Sequence, residues 1–139
     1  MKTIPVLSKR EIKRFHKVPF TVYKHDENWI SHIKQEVEEV FDEKKNHLFR
    51  NGVARRWILI SDSGEDIGRI AAFIDYRQSK KERQPTGGVG FFEVIHDKSA
   101  AFTLFDTARQ WLEDLGSQAM DGPINFGERN KYWGLLIDG

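Results

Sequence analysis

The chain has 139 residues and a formal net charge of +1, from 22 Lys and Arg against 21 Asp and Glu. This length suits a single domain, expected over residues 1–139, that buries roughly 68% of its unfolded surface. The composition, 39% apolar and 31% charged, is globular, and the net charge supplies no strong field for nucleic acid or anionic lipid. The absence of cysteine excludes disulfides, thiolate zinc sites and a cysteine nucleophile.

The N-terminal segment carries charges throughout its first twenty residues. It lacks the apolar run of about 7 to 15 residues that a signal peptide requires, and it is too charged for a membrane helix. We therefore expect a cytoplasmic protein without a membrane segment.

A short strand and two helices are predicted before residue 42. Residues 3–7 are apolar and β-branched, and Ser8 with Glu11 forms a capping-box pattern at the start of a helix. Pro19 is expected to end this helix, because the residue before proline avoids helical angles. A second helix over 27–41 is predicted from apolar residues that recur every three or four positions: Trp29, Ile30, Ile33, Val37, Val40 and Phe41.

The middle of the chain is rich in strand patterns. Residues 42–54 are polar without a period and are interpreted as a connection. Residues 56–61 and 67–75, joined by a Gly-containing turn, predict a β-hairpin. Residues 87–95 predict a further strand, in which the glycine-rich start indicates a bulge or hinge.

The C-terminal part begins with the clearest helix. Asp97 is placed to cap a helix over 98–115 that ends before Gly116. Residues 118–126 predict a fifth strand, and residues 128–139 a short helix or turn. The element order β-α-α-β-β-β-α-β-α predicts an α+β fold: a mixed, mainly antiparallel sheet flanked by helices on both faces, with its last two strands parallel.

Four runs of sequence carry a family resemblance: GRIAAFID at 68–75, GFFEV at 90–94, ARQWLEDLG at 108–116 and GPINFGERNKYWGLLIDG at 122–139. With the element order, they resemble the GNAT superfamily of N-acetyltransferases, and more closely the N-terminal part of a bacterial group within it. The resemblance implies a GNAT-like domain that lacks the C-terminal strand pair of the full fold.

The resemblance also implies acetyl-CoA as a cofactor. Its pantetheine arm would pair with backbone amides in the gap between the fourth strand, Phe91 to Ile95, and the fifth, Met120 to Ile124. Asn125 would hydrogen-bond the arm, although it is equally suited to be a turn residue. The implied cofactor-binding residues are Phe91, Phe92, Val94, Ile95, Lys98, Ser99 and Asn125.

The segment 96–101, where the superfamily binds the cofactor pyrophosphate, departs from the superfamily pattern. Neither of the usual glycines is present, so side chains stand on the path of the phosphates. The Asp97 carboxylate near a diphosphate costs on the order of 1 to 4 kcal/mol. Weak binding of acetyl-CoA is therefore predicted, only partly offset by Lys98 and His96.

Two residues are candidates for catalysis. Glu93 lies in the fourth strand, where acetyltransferases often place a general base, and Tyr132 lies where a tyrosine of the superfamily protonates the leaving thiolate. The alternatives are a solvated or ion-paired strand residue for Glu93 and an interfacial aromatic residue for Tyr132.

Other site classes receive little support from the sequence. The five histidines show no spacing typical of metal ligands, so no metal site is expected. The basic clusters at 9–14 and 80–83 are interleaved with glutamate, which predicts solvated faces and no nucleic-acid or membrane partner.

Two functional hypotheses follow. The first is an acyl-CoA-dependent N-acetyltransferase-like protein with a degenerate pyrophosphate loop. The second is a non-catalytic interaction or structural module on the same fold. An exposed strand edge next to apolar surface predicts a homodimer or higher oligomer, formed through the C-terminal segment or the edge of the fifth strand.

Overall fold

The computed structural model of the chain describes residues 1–26, 34–76 and 86–122. Within these ranges the structure contains a five-stranded sheet with the order β1-β2-β3-β4-β5. The strands are β1 (Lys2–Pro5), β2 (Gly52–Ile60), β3 (Asp66–Asp75), β4 (Thr86–Val94) and β5 (Ala119–Asp121). Neighbouring strands are antiparallel except β4 and β5, which are parallel. The predicted mixed sheet is confirmed.

Helices cover both faces of the sheet. The helices α1 (Lys9–Val22) and α2 (Lys34–Val40) pack on one face, and α3 (Lys98–Asp114) packs on the other. Each face buries its own apolar cluster. Because the α+β class and the two-sided helix arrangement agree with the sequence analysis, the periodicity of the apolar residues was sufficient to predict the layers.

The α3 face is held by close helix-to-strand packing. Leu104 and Leu112 are fully buried, and both approach glycines of the sheet so closely that a Cβ would clash: 2.7 Å at Gly68 and 2.5 Å at Gly87. Asp97 caps the helix by accepting a hydrogen bond from Ala100 N at 3.1 Å, as predicted. These glycines therefore let α3 lie directly on β3 and β4.

The α1 and α2 face contains a partly buried ion-pair network. The Arg56 guanidinium donates two hydrogen bonds to Glu38, at 2.5 and 2.8 Å, and lies 4.1 Å from the Phe41 ring centroid. His16 Nε2 lies 2.6 Å from the same Glu38 carboxylate. Burial raises the pKa of Glu38, but the hydrogen bonds from Arg56 and His16 outweigh it and lower this pKa to about 2.

This network predicts an acid-sensitive contribution to stability. A depressed carboxylate pKa stabilises the fold fully above the ordinary value of 4.5, and the contribution is lost as the pH falls toward about 2. We expect Glu38→Gln to lower the free energy of unfolding by about 1–3 kcal/mol at neutral pH, with the difference from wild type shrinking through that window. Urea unfolding at several pH values measures it. Glu39→Gln, which removes only a surface pair with Lys45, is the control and should leave the pH dependence unchanged.

The predicted end of the first helix at Pro19 is wrong. The helix α1 continues through Pro19 to Val22. Proline cannot donate to the carbonyl of Phe15, four residues earlier, so that oxygen loses its helical partner. The buried Arg69 guanidinium supplies the missing donor, since its Nη1 lies 3.1 Å from Phe15 O. A side chain from the sheet thus compensates for the proline inside the helix.

The predicted connection over 42–54 is too long. It contains a 3-10 helix, His47–Asn51, and the first residues of β2, which begins at Gly52 rather than at residue 56. Gly52 pairs with Asp75 at the far end of β3. Pairing with a ten-residue partner strand therefore extended β2 beyond the stretch that its own sequence pattern marks.

Three predicted segments lie outside the described residues. They are the first turns of the second helix, with Trp29, Ile30 and Ile33, the basic cluster at 80–83, and the chain after Gly122, which includes the C-terminal segment expected to mediate a homodimer. The dimer stays a prediction.

Candidate functional site

A β-bulge in β4 is the feature that organises the candidate site. Arg69 of β3 pairs with Glu93, and Ala71 pairs with Gly90, so Phe91 and Phe92 together lie opposite Ile70 alone. Phe91 has a φ of 51°, the left-handed region that non-glycine residues rarely adopt, at a cost on the order of 1–3 kcal/mol. The bulge predicted from the glycine-rich start of the strand is therefore present, directly after Gly90.

The bulge decides which face of the sheet receives Glu93. Val89 and Phe92 belong to the cluster under α3, whereas Phe91 belongs to the cluster under α1. With strict alternation from Val89, Glu93 would share the α3 face. The extra residue shifts the alternation, and Glu93 instead lies on the α1 face, beside Arg69 and Tyr23.

Glu93 is held at the C-terminal end of α1. Tyr23, the C-cap residue of that helix, donates its hydroxyl to Glu93 Oε2. Because α1 continues through Pro19, its last turn carries Tyr23 over the end of β4. Tyr23 was not among the residues predicted for the site, because the first helix was predicted to end at Pro19. A signal was present in Val22, which continues the apolar face of Phe15 and Val18.

Arg69 places a positive charge next to this carboxylate. Its side chain is almost fully buried, with a relative accessibility of 3%, and its guanidinium lies 4.6 Å from the Phe15 ring centroid. Within the described ranges its Nε atom has no hydrogen-bond partner. Burial lowers the pKa of Arg69 to about 10, which still leaves the group charged at neutral pH.

The surroundings raise the pKa of both Glu93 and Tyr23, the two partners of this hydrogen bond. Burial raises the pKa of Glu93 above its usual value, and the hydrogen bond from Tyr23 and the charge of Arg69 only partly oppose this. Burial and the nearby Glu93 carboxylate likewise raise the pKa of Tyr23. A carboxylate with a raised pKa is suited to accept a proton from an amine near neutral pH.

The β4 residues implied to bind a cofactor have their side chains packed in the apolar clusters, so only their backbone groups could contact it. Phe91 and Phe92 are buried on opposite faces, and the ring of Phe92 lies 4.5 Å from that of Phe105. Val94 and Ile95 pack against the α3 cluster. Ile95 N donates to Ile67 O of β3 at 3.0 Å, so by alternation the Val94 N–H faces the β5 edge.

The expected gap between β4 and β5 is only partly within the described residues. The pairing of the two strands ends with Gly88 opposite Asp121, and Gly122 still lies against Val89. Residues 123 and 124, where the strands would separate, lie outside the described ranges, as do Asn125 and Tyr132. Their predicted roles rest on sequence alone.

The N-terminus of α3 is occupied by its own cap. The Asp97 side chain accepts from Ala100 N, and the Asp97 carbonyl accepts from Ala101 N at 3.1 Å. Lys98 and Ser99 lie exposed in the first turn. The residues that would meet a diphosphate are thus a carboxylate and two side chains on a helix end, and the fit for an anion is poor.

The described ranges show neither a cluster of metal-ligating residues nor a membrane-spanning helix. No cluster of three or more His, Cys, Asp or Glu residues is arranged to hold a metal ion within residues 1–26, 34–76 and 86–122. In the same part of the chain, no helix is long and apolar enough to cross a bilayer.

Two curated proteins are similar to the chain in sequence, and no family model matches it. Bacterial ceramide synthase of Caulobacter vibrioides is 34% identical over 144 residues, which cover 100% of this chain and 36% of that protein. Protein YghO of Escherichia coli is 30% identical over 139 residues, covering 96% of this chain and 33% of that protein. The chain therefore spans about a third of the length of these relatives.

Two solved structures share the fold. The Pyrococcus furiosus protein named "Putative acetyl transferase" superposes with a TM-score of 0.53 at 12% identity, covering 99% of this chain and 97% of that one. A Trypanosoma brucei acetyltransferase gives a TM-score of 0.51 at 12% identity, covering 88% and 82%. At 12% sequence identity, the similarity to these two structures shows a shared architecture and nothing about activity. The GNAT-like fold implied by the sequence resemblance is confirmed as a fold.

Proposed function

We propose that the chain is the part of an N-acyltransferase that transfers an acyl group from a CoA thioester to an amine. The observation that carries the proposal is the β4 bulge, which places Glu93 on the α1 face with a raised pKa, a hydrogen bond from Tyr23 and the charge of Arg69 nearby. The acetyltransferase architecture of the solved neighbours supports the same reaction class.

In the proposed reaction the acceptor nitrogen attacks the thioester carbonyl carbon, and the carbon–sulfur bond breaks. Glu93 takes the proton that the nitrogen loses, through Oε1, the carboxylate oxygen that does not receive the Tyr23 hydrogen bond. Backbone N–H groups at the β5 edge of β4, such as that of Val94, polarise the carbonyl. Tyr132 would protonate the departing thiolate, as the sequence resemblance implies.

The acyl-CoA substrate would be held mainly through its pantetheine arm. The Val94 N–H, which faces the β5 edge of β4, would pair with the arm as with an added strand, and each such hydrogen bond contributes about 0.5–1.5 kcal/mol. Lys98 is the one basic side chain in the first turn of α3. The diphosphate adds little there, because Asp97 caps the same helix end.

The ceramide synthase relative supports a long-chain amino alcohol as the acceptor, because a ceramide is an amide of such an amine. The amine of such an acceptor would reach Glu93 beside the C-terminal end of α1, where Tyr23 and the bulged β4 meet.

The test is an acyl-transfer assay with the purified chain. Acetyl-CoA and a long-chain acyl-CoA are each combined with a long-chain amino alcohol or a short water-soluble amine. Release of the CoA thiol together with an amide of the expected mass supports the proposal. Thiol release without an amide, or neither product with any pair, contradicts it for this chain.

A non-catalytic module on the same fold is the second candidate. The Asp97 cap favours it, since a helix end that already binds its own carboxylate is a poor pyrophosphate site. Absence of amide product combined with unchanged thermal stability in the presence of acyl-CoA would select this candidate.

The cap predicts a variant that binds CoA thioesters more tightly. For wild type we expect a dissociation constant for acetyl-CoA of roughly hundreds of micromolar, on the order of 5 kcal/mol. Asp97→Gly removes a repelling carboxylate and should strengthen binding roughly ten- to a thousandfold. Glycine is an adequate N-cap, so the helix loses only about a few tenths of a kcal/mol. Calorimetry measures the affinity.

Two matched variants locate the cause. Asp97→Asn keeps a capping side chain and removes only the charge, and should reproduce most of the gain. Asp114→Asn, at the other end of α3, should change nothing. Low-micromolar binding by the wild-type chain would contradict this account of residues 96–101.

A further inference from the structure

The outward face of α1 is uniformly basic. Four cations of the helix are exposed, and at 3.6 residues per turn they lie within an arc of about 100° opposite the buried Phe15. The basic face consists of Lys9, Arg10, Lys13 and Lys17, and Phe20 completes it with 57% of its surface exposed. Leu7, 71% exposed, lies just before the helix.

The acidic residue within this sequence stretch does not interrupt the basic face. Glu11 turns back to Ser8 in the capping box, on the side of the helix away from the lysines. Arg14, which lies beside the arc, is already paired with Asp66 at 2.6 Å. Residues that alternate in sequence are therefore separated in space: the face is exposed to solvent, as expected, but Glu11 does not lie among its lysines.

We propose that the basic face of α1 docks on an anionic membrane surface. Each Lys or Arg near an anionic bilayer contributes about 1 kcal/mol, and the attraction decays within a Debye length of about 8 Å at physiological salt. An exposed Phe20 within the basic face and an exposed Leu7 beside its start supply the apolar contacts that a lipid interface rewards. Single-stranded nucleic acid would instead favour several aromatic rings arranged for stacking, which this face lacks.

The position of α1 gives the docking a consequence for the candidate site. The same helix ends at Tyr23, which holds Glu93. A membrane against the outward face of α1 therefore brings the candidate carboxylate close to the lipid headgroups. This consequence rests on the proposed function, whereas the docking itself does not.

The experiment is sedimentation of the full chain with vesicles of phosphatidylcholine alone or mixed with phosphatidylglycerol. We expect binding to the anionic vesicles only, weakening with salt. Lys13→Glu with Lys17→Glu should weaken it by roughly 30-fold or more, as expected for the loss of two cations from the interface. The matched control is Lys44→Glu with Arg109→Glu, which makes the same change in net charge at exposed positions outside α1.

Each result supports or overturns the docking. Absence of binding to anionic vesicles, or an equal loss in the control variant, overturns it, with circular dichroism showing that both variants are folded. Binding to duplex DNA as tight as to the vesicles also overturns it and assigns the face to nucleic acid. Acyl transfer to a short water-soluble amine should be unchanged in the Lys13 and Lys17 variant. The membrane docking and the proposed activity can therefore be refuted independently of each other.

Discussion

We expect Glu93→Gln to lower the rate of acyl transfer about 10²- to 10⁴-fold, the usual contribution of a positioned general base. Glutamine has nearly the same shape and still accepts the hydrogen bond from Tyr23, but it cannot take a proton. The loss should therefore fall on the turnover rate rather than on the affinity for acyl-CoA. Thiol release under saturating acyl-CoA measures the effect.

Glu113→Gln is the matched control for this substitution. Glu113 is an exposed glutamate of α3 that pairs with Arg109 on the other face of the sheet. Its replacement should leave the rate within about twofold, because exposed pairs contribute little. A Glu93→Gln variant that keeps the wild-type rate would remove Glu93 from the mechanism.

The pH profile adds a test that a merely structural glutamate would not pass. Glu93 acts in its deprotonated form, so the rate should rise with pH through its pKa, which burial places above the ordinary value. The Tyr23 hydrogen bond lowers that pKa. Tyr23→Phe should therefore shift the acid limb of the profile to higher pH, and Glu93→Gln should abolish the limb.

The largest expected effect on stability comes from Arg69. Arg69→Met should lower the free energy of unfolding by about 2–4 kcal/mol, because it strips the Phe15 carbonyl of its donor and removes a charge from beside Glu93. Urea denaturation near neutral pH measures the change. Loss of the Arg69 charge should also raise the pKa of Glu93 further.

A double-mutant cycle of Arg69 and Pro19 measures the contribution of the hydrogen bond between Arg69 and the Phe15 carbonyl. Pro19→Ala restores a backbone N–H four residues after Phe15, so the helix itself then satisfies the carbonyl that Arg69 satisfies in wild type. Arg69→Met should consequently cost about 1 kcal/mol less in the Pro19→Ala background. The control cycle combines Arg69→Met with Ala108→Ser, a substitution on the other face of the sheet, and should give no coupling energy. Additive effects of the Arg69 and Pro19 substitutions would show that the Phe15 carbonyl does not link them.

The sequence by itself determined the layers of the molecule. The apolar stripe of α3, the Asp97 cap and Gly116, whose φ of 97° suits glycine, all act within one helix. The hairpin of β2 and β3 was predictable for the same reason, since its signals lie within a few residues along the chain. Local signals of this kind predict the structure correctly because the tertiary packing favours the same helix and strands.

The candidate site was decided by tertiary structure. Glu93 was predicted from its strand and family resemblance, but the bulge at Phe91 selects its face, and no local pattern fixes where an extra residue is accommodated. Tyr23 reaches Glu93 only because α1 passes through Pro19, and that helix is tolerated because Arg69, 54 positions from Phe15 along the chain, donates to its carbonyl. Contacts between distant segments carry no signature in either segment alone, and they determine which residues meet at this carboxylate.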